Sequence, residues 1–152
     1  MDNFERSMVF ILKWEGGYSN DANDSGGETK HGISKRAYPD IDITNLTEEK
    51  AKEIYRRDYW EKAGCSSLAW PMCLVVFDTA VNCGVGKALE LSKTFGDNWF
   101  DYLIGRMKYY VKISESMKNR YFLRGWLNRC LDLYQTIKEN AHPLNNRYNP
   151  DD

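Results

Sequence analysis

The sequence predicts a mainly α (α+β) fold, in which an N-terminal helix is followed by a small β-hairpin lobe and then by a helical lobe. Three observations support this prediction. Apolar residues recur at helical spacing up to residue 15, a polar segment rich in Asn, Asp, Ser and Gly covers 18–33, and helical patterns with capping residues return after that segment. A chain of 152 residues is long enough to bury a core and fits one domain.

The first helix is predicted from about Asn3 to Trp14 or Glu15. Asp2 with Glu5 forms a possible capping box at its start, and Gly16-Gly17 breaks it. One face of this helix carries the apolar residues Phe4, Met8, Ile11 and Leu12.

Glu15 continues that apolar face, four residues after Ile11 and three after Leu12. A carboxyl group that is half-buried against apolar neighbours can keep its proton near neutral pH, which is what a general acid needs. The alternative is a glutamate on the last turn of a helix whose carboxylate reaches water.

The hairpin is predicted over 18–33, as two short strands joined by a turn near 24–27. It contains so few apolar residues that lining a site is a better explanation for it than packing. It carries two carboxylates, Asp21 and Asp24, and the hydroxyl of Thr29. With Glu15 these groups suit hydrolysis of a glycosidic bond, in which one carboxyl protonates the leaving oxygen and another acts on water. The alternative is that both aspartates only stabilise turns.

Helical segments account for the rest of the chain. A short turn is predicted at 34–38, and Thr47 is predicted to cap a helix that runs to about Glu61. Pro71 suits the first position of a helix that is apolar nearly all round, ends before Gly84 and is therefore central and buried. Further helices are predicted at 87–93, 97–117 and 119–140.

The hairpin motif resembles a known family. The residues Glu15-Gly16-Gly17-Tyr18, Asp21, Asp24, Gly26-Gly27, Thr29 and Gly32-Ile33 are similar to the signature of glycoside hydrolase family 108. Members of this family are lysozyme-like muramidases, typically phage endolysins and related prophage proteins. The order of Glu15, Asp24 and Thr29 is also close to the Glu/Asp/Thr constellation of phage-type lysozymes.

Two later segments extend this resemblance over roughly residues 4–130. The run from Phe77 to Gly84 is similar to a second block of the family, and Gly125-Trp126 with Arg129 is similar to the end of its C-terminal peptidoglycan-binding region. The resemblance implies a lysozyme-like fold with Glu15 as the acid, acting on the bond between N-acetylmuramic acid and N-acetylglucosamine. We expect one domain over 1–152, with a catalytic part at 1–84, a peptidoglycan-binding-like helical part at 85–140 and an irregular tail at 141–152.

The predicted catalytic residues are therefore Glu15, Asp24 and Thr29. A second set is predicted to bind substrate: Tyr18, Asp21, His31, Asp78, Asn82, Trp126 and Arg129. For Asp78 and Asn82, which lie four apart on the central helix, the alternative is a structural role in tying down the hairpin or the first helix. For Trp126, which shares a helix face with Arg129, the alternative is packing.

Charge is balanced overall but uneven along the chain. The net charge of −1 argues against a nucleic-acid partner. Between Arg106 and Cys130, however, seven basic residues face one acidic residue, a local balance of +6. A solvated helix face explains such a run, and so does contact with an anionic polymer such as peptidoglycan.

The residue types that bind metals are sparse and separated. Cys65, Cys73, Cys83 and Cys130 form no CxxC pair, and the two histidines are far apart in sequence. We therefore expect no metal, no cofactor and no catalytic cysteine, but structural thiols in a reducing compartment.

The N-terminus is acidic, and the longest apolar runs are too short to span a bilayer. We expect a monomer that is cytoplasmic when synthesised, is not stably inserted in a membrane, and acts on the wall in the periplasm after a holin or a secretion system lets it out. Two other functions stay open. One is a lytic transglycosylase acting on the same bond, and the other is a non-catalytic wall-binding protein.

Overall fold

The computed structural model describes residues 1–19 and 28–141, without the side chains of residues 19, 117, 118 and 141. The predicted mainly α, lysozyme-like class is confirmed: an N-terminal helix leads into a small sheet, and helices form the rest. The helices are α1 (Asn3–Glu15), α2 (Glu48–Tyr55), α3 (Met72–Cys83), α4 (Val85–Phe95), α5 (Trp99–Ile113), α6 (Met117–Arg120) and α7 (Leu123–Ala141). A π-helical turn at Arg56–Trp60 directly extends α2, and a 3₁₀ turn lies at Cys65–Ser67.

Capping residues set the ends of the first two helices as predicted. The Asp2 carboxylate accepts the Glu5 N–H at 2.7 Å, and the Gly16 N–H donates to the Leu12 carbonyl at 2.9 Å as α1 ends. Thr47 caps α2 by accepting the Lys50 N–H at 3.3 Å. Each of these bonds satisfies a backbone group that a helix end would otherwise leave unpaired.

The sheet has one strand more than the two predicted. Strands β1 (Tyr18–Ser19), β2 (Thr29–Lys30) and β3 (Ile33–Ser34) pair antiparallel in the order β1-β2-β3. Lys30 pairs with Ile33 across a two-residue loop of His31 and Gly32, whose φ values are +50° and +75°. Two positive φ values in succession suit a tight hairpin. The turn predicted near 24–27 lies outside the described residues, as does the predicted tail beyond Ala141.

Helix α3 forms the centre of the molecule, as its apolar sequence predicts. All residues from Met72 to Ala80 are buried, and Pro71 lies one position before the helix begins. Phe77 packs edge-on against Trp60, with ring centroids 5.2 Å apart, and Phe4 of α1 packs against the same Trp60. One continuous cluster of buried side chains joins α1, α3, α5 and α7.

The last two predicted helices are shorter in the structure, with α6 between them. Helix α5 begins after Asn98, whose side chain accepts the N–H groups of Phe100 and Asp101 at 3.1 Å. It ends at Ile113, whose carbonyl accepts a bond from the Asn119 side chain. None of the helices in the described ranges has both the length and the apolar character needed to cross a membrane.

Candidate active site

Glu15 is the last residue of α1, and its side chain is partly buried, with 23% exposed. Oε1 accepts a hydrogen bond from Nη1 of Arg129 at 2.5 Å. The carboxyl group is therefore partly buried, as its helix face predicts, but it lies beside a cation as well as the expected apolar face. Its direct cationic partner is a residue 114 positions later in the chain.

The sheet meets Glu15 through Gly32. A Cβ atom placed on Gly32 would lie 2.8 Å from Cβ of Glu15 and 2.2 Å from the Tyr55 hydroxyl oxygen, too close for any side chain. The same hydroxyl donates to the His31 carbonyl at 2.9 Å. Because His31 and Gly32 directly follow β2, these contacts fix the end of the strand that carries Thr29 against the Glu15 side chain.

Arg129 bridges Glu15 to the interior. Its guanidinium donates through Nε and Nη2 to Asp78 Oδ1, at 2.9 and 2.7 Å, while Nη1 reaches Glu15. The Arg129 side chain is only 5% exposed. Burial opposes its charge, but the charges and hydrogen bonds of Asp78 and Glu15 outweigh burial and raise the Arg129 pKa.

Asp78 is completely buried and has a second cation. Arg106 of α5, also completely buried, donates through Nη1 to Asp78 Oδ2 at 2.6 Å and to the Thr79 hydroxyl at 3.3 Å. Burial alone would raise the pKa of Asp78, but Arg106 and Arg129 outweigh it and hold that pKa below its ordinary value. Acidic and basic side chains thus alternate along the chain Glu15–Arg129–Asp78–Arg106.

Polar contacts continue from Arg106 toward α3 and α7. Its Nε donates to the Tyr110 hydroxyl at 2.8 Å, and that hydroxyl donates to Asn82 Oδ1. The Tyr110 ring stacks on Trp126, with centroids 4.9 Å apart, and Trp126 stacks on Phe122 at 5.8 Å. The rings of Tyr110 and Trp126 therefore join α5 to α7 beside the ionic chain.

A second contact holds α7 to the end of α1. Asp132, one turn after Arg129, accepts from Trp14 Nε1 at 2.7 Å and pairs with Lys13 at 2.8 Å. Residues 13–15 of α1 are therefore bound by two side chains on one face of α7.

Comparison with known proteins decides the family. Residues 8–84 match the family model described as glycosyl hydrolase 108. The chain belongs to this family. It is a glycoside hydrolase, and the predicted resemblance is confirmed.

The structure of Brucella abortus SagA has the same fold, with a TM-score of 0.72 and 21% sequence identity over 88% of this chain and 92% of that chain. No curated protein matches this glycosyl hydrolase 108 chain. The matched segment contains Glu15, Thr29 and Asp78, whereas Arg106 and Arg129 lie beyond it.

The structure describes only some of the predicted hairpin residues. Asp21 and Asp24 lie outside the described residues. Thr29 lies in the central strand and is partly buried. Tyr18 is 52% exposed, and its hydroxyl donates to Glu28 at 3.0 Å.

Two residues predicted to bind substrate lie in the interior of this glycosyl hydrolase 108 protein. Asp78 is 0% exposed and both its oxygens bind arginines, so the substrate contact predicted for it is wrong and the structural alternative holds. It ties down α1 through Arg129, which is itself 4% exposed and engaged with two carboxylates. Asn82 and Trp126 lie beside this network, and the contacts described above for both are with protein groups.

The basic stretch at 106–130 contains both buried and exposed cations. Arg106 and Arg129 belong to the buried network, which removes two of the seven cations from any binding face. Lys108, Lys112, Arg120 and Arg124 are exposed. Of the aromatic residues interleaved with them, Tyr110 is buried, whereas Tyr121 and Phe122 are 84% and 55% exposed.

Sequence reasoning missed Arg106, Tyr55 and the contact role of Gly32. A signal for Arg106 was present, since it shares a helix face with Leu103 and Tyr110, both core residues, and a cation on an apolar face needs a buried partner.

The cysteines and metal-binding side chains add no second site in the described ranges. All four cysteines are free. Burial raises the pKa of Cys65 to about 12 and that of Cys130 to about 11, which disfavours the reactive thiolate. Within these ranges no group of three or more His, Cys, Asp or Glu side chains could hold a metal ion.

Proposed function

We propose that this glycoside hydrolase is a peptidoglycan muramidase of the endolysin type, which cleaves the β-1,4 bond between N-acetylmuramic acid and N-acetylglucosamine and so lyses bacteria. The observation that carries the proposal is the placement of Glu15 in a family 108 chain. Its carboxyl group is partly open to solvent, bounded by the Gly32 loop on one side and by Arg129 on the other.

Glu15 is the general acid in this proposal. It protonates the glycosidic oxygen as the bond to the muramic acid carbon breaks. Proton donation of this kind contributes roughly 10²–10⁴ in rate. Partial burial excludes part of the solvent, while the exposed fraction leaves a path for the leaving oxygen to approach.

Asp24 is proposed as the second carboxylate, which positions or deprotonates the attacking water, and Thr29 orients that water. We favour inversion, for which the two carboxyl groups stand roughly 6.5–9.5 Å apart to leave room for the water. Asp21, three residues earlier, is the other candidate for this role. Support comes from the fold, which ends the Thr29 strand against Glu15 through Gly32.

The proposed substrate also sets where the protein acts. Peptidoglycan strands lie outside the cytoplasmic membrane, so a chain of this function reaches the periplasm through a holin-made lesion or a secretion system. The proposed working form is a monomer, because one chain supplies both sides of Glu15.

Product analysis tests the proposal. Purified Gram-negative sacculi are digested with the protein, and the soluble fragments are analysed by reduction with borohydride and mass spectrometry. A muramidase yields fragments that end in a reducible N-acetylmuramic acid. Fragments that end in non-reducible 1,6-anhydro-muramic acid identify a lytic transglycosylase, and no fragments at all, with retained binding to sacculi, identify a wall-binding protein. Either of these two outcomes refutes the proposal.

A further inference from the structure

We propose that Arg129 is a positioning residue for the general acid, and that Asp78 and Arg106 hold it in place from the interior. The inference rests on the proposed function, because it assigns Glu15 the acid's role. It gives the C-terminal helix α7 a part in catalysis that is separate from wall binding.

The donor pattern of Arg129 supports this assignment. Two of its nitrogens, Nε and Nη2, bind one oxygen of Asp78, and the third, Nη1, is directed at Glu15. A planar guanidinium presents its donors in a fixed fork, so binding Asp78 at one edge sets where Nη1 points. The position of the Glu15 carboxyl group therefore depends on a residue in the interior of α3.

Arg106 completes the support. One arginine carries enough charge to pair with the buried Asp78 carboxylate, yet two bind it. Arg106 binds Oδ2 and Arg129 binds Oδ1, so both oxygens of the carboxylate are held. Asp78 then presents Oδ1 to Arg129 in one orientation, which leaves Nη1 of Arg129 directed at Glu15.

Helix α7 is also held in register next to this contact. Asp132 binds Trp14 and Lys13 one turn after Arg129, so the segment that carries Arg129 cannot slide along α1 without breaking both contacts. The CZ atom of Arg129 also lies 5.7 Å from the centre of the Trp14 ring. A displacement of about 1 Å at a catalytic group can cost roughly 10²-fold in rate.

The test compares Arg129→Met and Arg129→Lys with the control Lys138→Met. Lys138 is an exposed cation on the last turn of α7, so its replacement changes the charge of the same helix without touching the network. Each variant is first checked for a cooperative thermal transition by circular dichroism. Then kcat and KM are measured on a soluble glycan fragment, for which binding to the insoluble wall does not matter.

We expect Arg129→Met to lower kcat by about 10²-fold with little change in KM. We expect Arg129→Lys to recover part of the loss, because a lysine ammonium keeps the charge but not the fork. Lys138→Met keeps the wild-type kcat.

The split between kcat and KM separates positioning from a purely structural role. A misplaced acid lowers kcat in molecules that are folded. A variant that only loses folded protein instead shows a lower apparent rate in proportion to the folded fraction, which circular dichroism measures.

A folded Arg129→Met with wild-type kcat overturns the inference. If Arg129→Met does not fold, Arg129→Lys decides, and wild-type kcat in that variant overturns the inference equally. Glu15→Gln, measured in parallel, keeps the two proposals apart. Full activity in Glu15→Gln refutes Glu15 as the acid, whereas an inactive Glu15→Gln beside an unaffected Arg129→Met refutes only the positioning role.

Discussion

The two sides of Glu15 differ in secondary structure and in the contacts that hold them. On the helical side, Arg129, Asp78 and Arg106 form an ionic chain that is almost wholly buried. On the other side are three strands of two residues each, where the His31 carbonyl accepts a hydrogen bond from Tyr55 and Ile33 is buried. In the proposed mechanism, the helices hold Glu15 as the acid, and the segment that carries Asp24 and Thr29 supplies polar groups to the reaction.

The largest expected effect concerns turnover. Asp24→Asn should lower kcat by roughly 10²–10⁴, because an amide cannot accept a proton from the attacking water. Thr29→Ala should cost less, since it removes an orienting hydroxyl rather than the base. Rates of release of reducing ends from sacculi measure both variants.

If the comparison holds, each of these variants should lower the free energy of unfolding less than Asp78→Ala does, and urea unfolding of all three measures this. Asp24→Asn with full activity would transfer the second carboxylate role to Asp21, for which Asp21→Asn is the matching variant.

On the helical side the largest expected effect is on stability. Asp78→Ala leaves Arg106 and Arg129 buried without their shared partner, and breaking a buried ion pair in this way costs about 3–5 kcal/mol. Urea unfolding of Asp78→Ala beside Asp101→Ala, an exposed acid in the first turn of α5, measures the difference. A loss no larger than that of Asp101→Ala would mean that the network does not stabilise the fold.

The contribution of Asp78 to the free energy of unfolding depends on pH. Because the folded-state pKa of Asp78 lies below its ordinary value of 3.8, its contribution to stability is complete above that value and is lost as the pH falls toward the lowered one. Asp78→Ala should therefore lose less stability than the wild type between neutral pH and about pH 3.

The smallest expected effect concerns the exposed cations of the C-terminal part. Arg120→Ala with Arg124→Ala should weaken pull-down on insoluble peptidoglycan at low salt, and less so at high salt, because exposed charge contacts contribute only about 0.2–1 kcal/mol each and are screened. The paired control Lys93→Ala with Lys138→Ala removes as much charge from other exposed positions. Equal binding by the two double variants at every salt concentration would show that the basic stretch does not bind peptidoglycan more strongly than other exposed cations do.

Local signals in the sequence were enough for much of the fold. The caps at Asp2 and Thr47, the break at Gly16 and the apolar α3 are each determined by residues close in sequence, and all appear where expected. The extra strand was missed because it depends on His31, a residue other than glycine, adopting positive φ. Such a conformation has no reliable sequence signal.

In the candidate site, too, only features set by residues close in sequence could be predicted. Glu15 could be identified as a candidate from its helix face and the glycines after it. Its link to Arg129 joins positions 114 apart, and the sequence pattern gives no measure of which helices meet. An acid at position 78 of an apolar helix indicates that a buried cation exists, but only the packing of α5 and α7 shows that two arginines share it.

The rate of lysis by Glu15→Gln tests the central claim most directly. Glutamine keeps the size and one hydrogen-bond acceptor for Arg129 but has no acidic proton to give. With a thermal transition like that of the wild type, the variant should clear permeabilised Gram-negative cells roughly 10²–10⁴ times more slowly. Clearing at a rate comparable to the wild type would contradict the account, because Glu15 would then not be the acid.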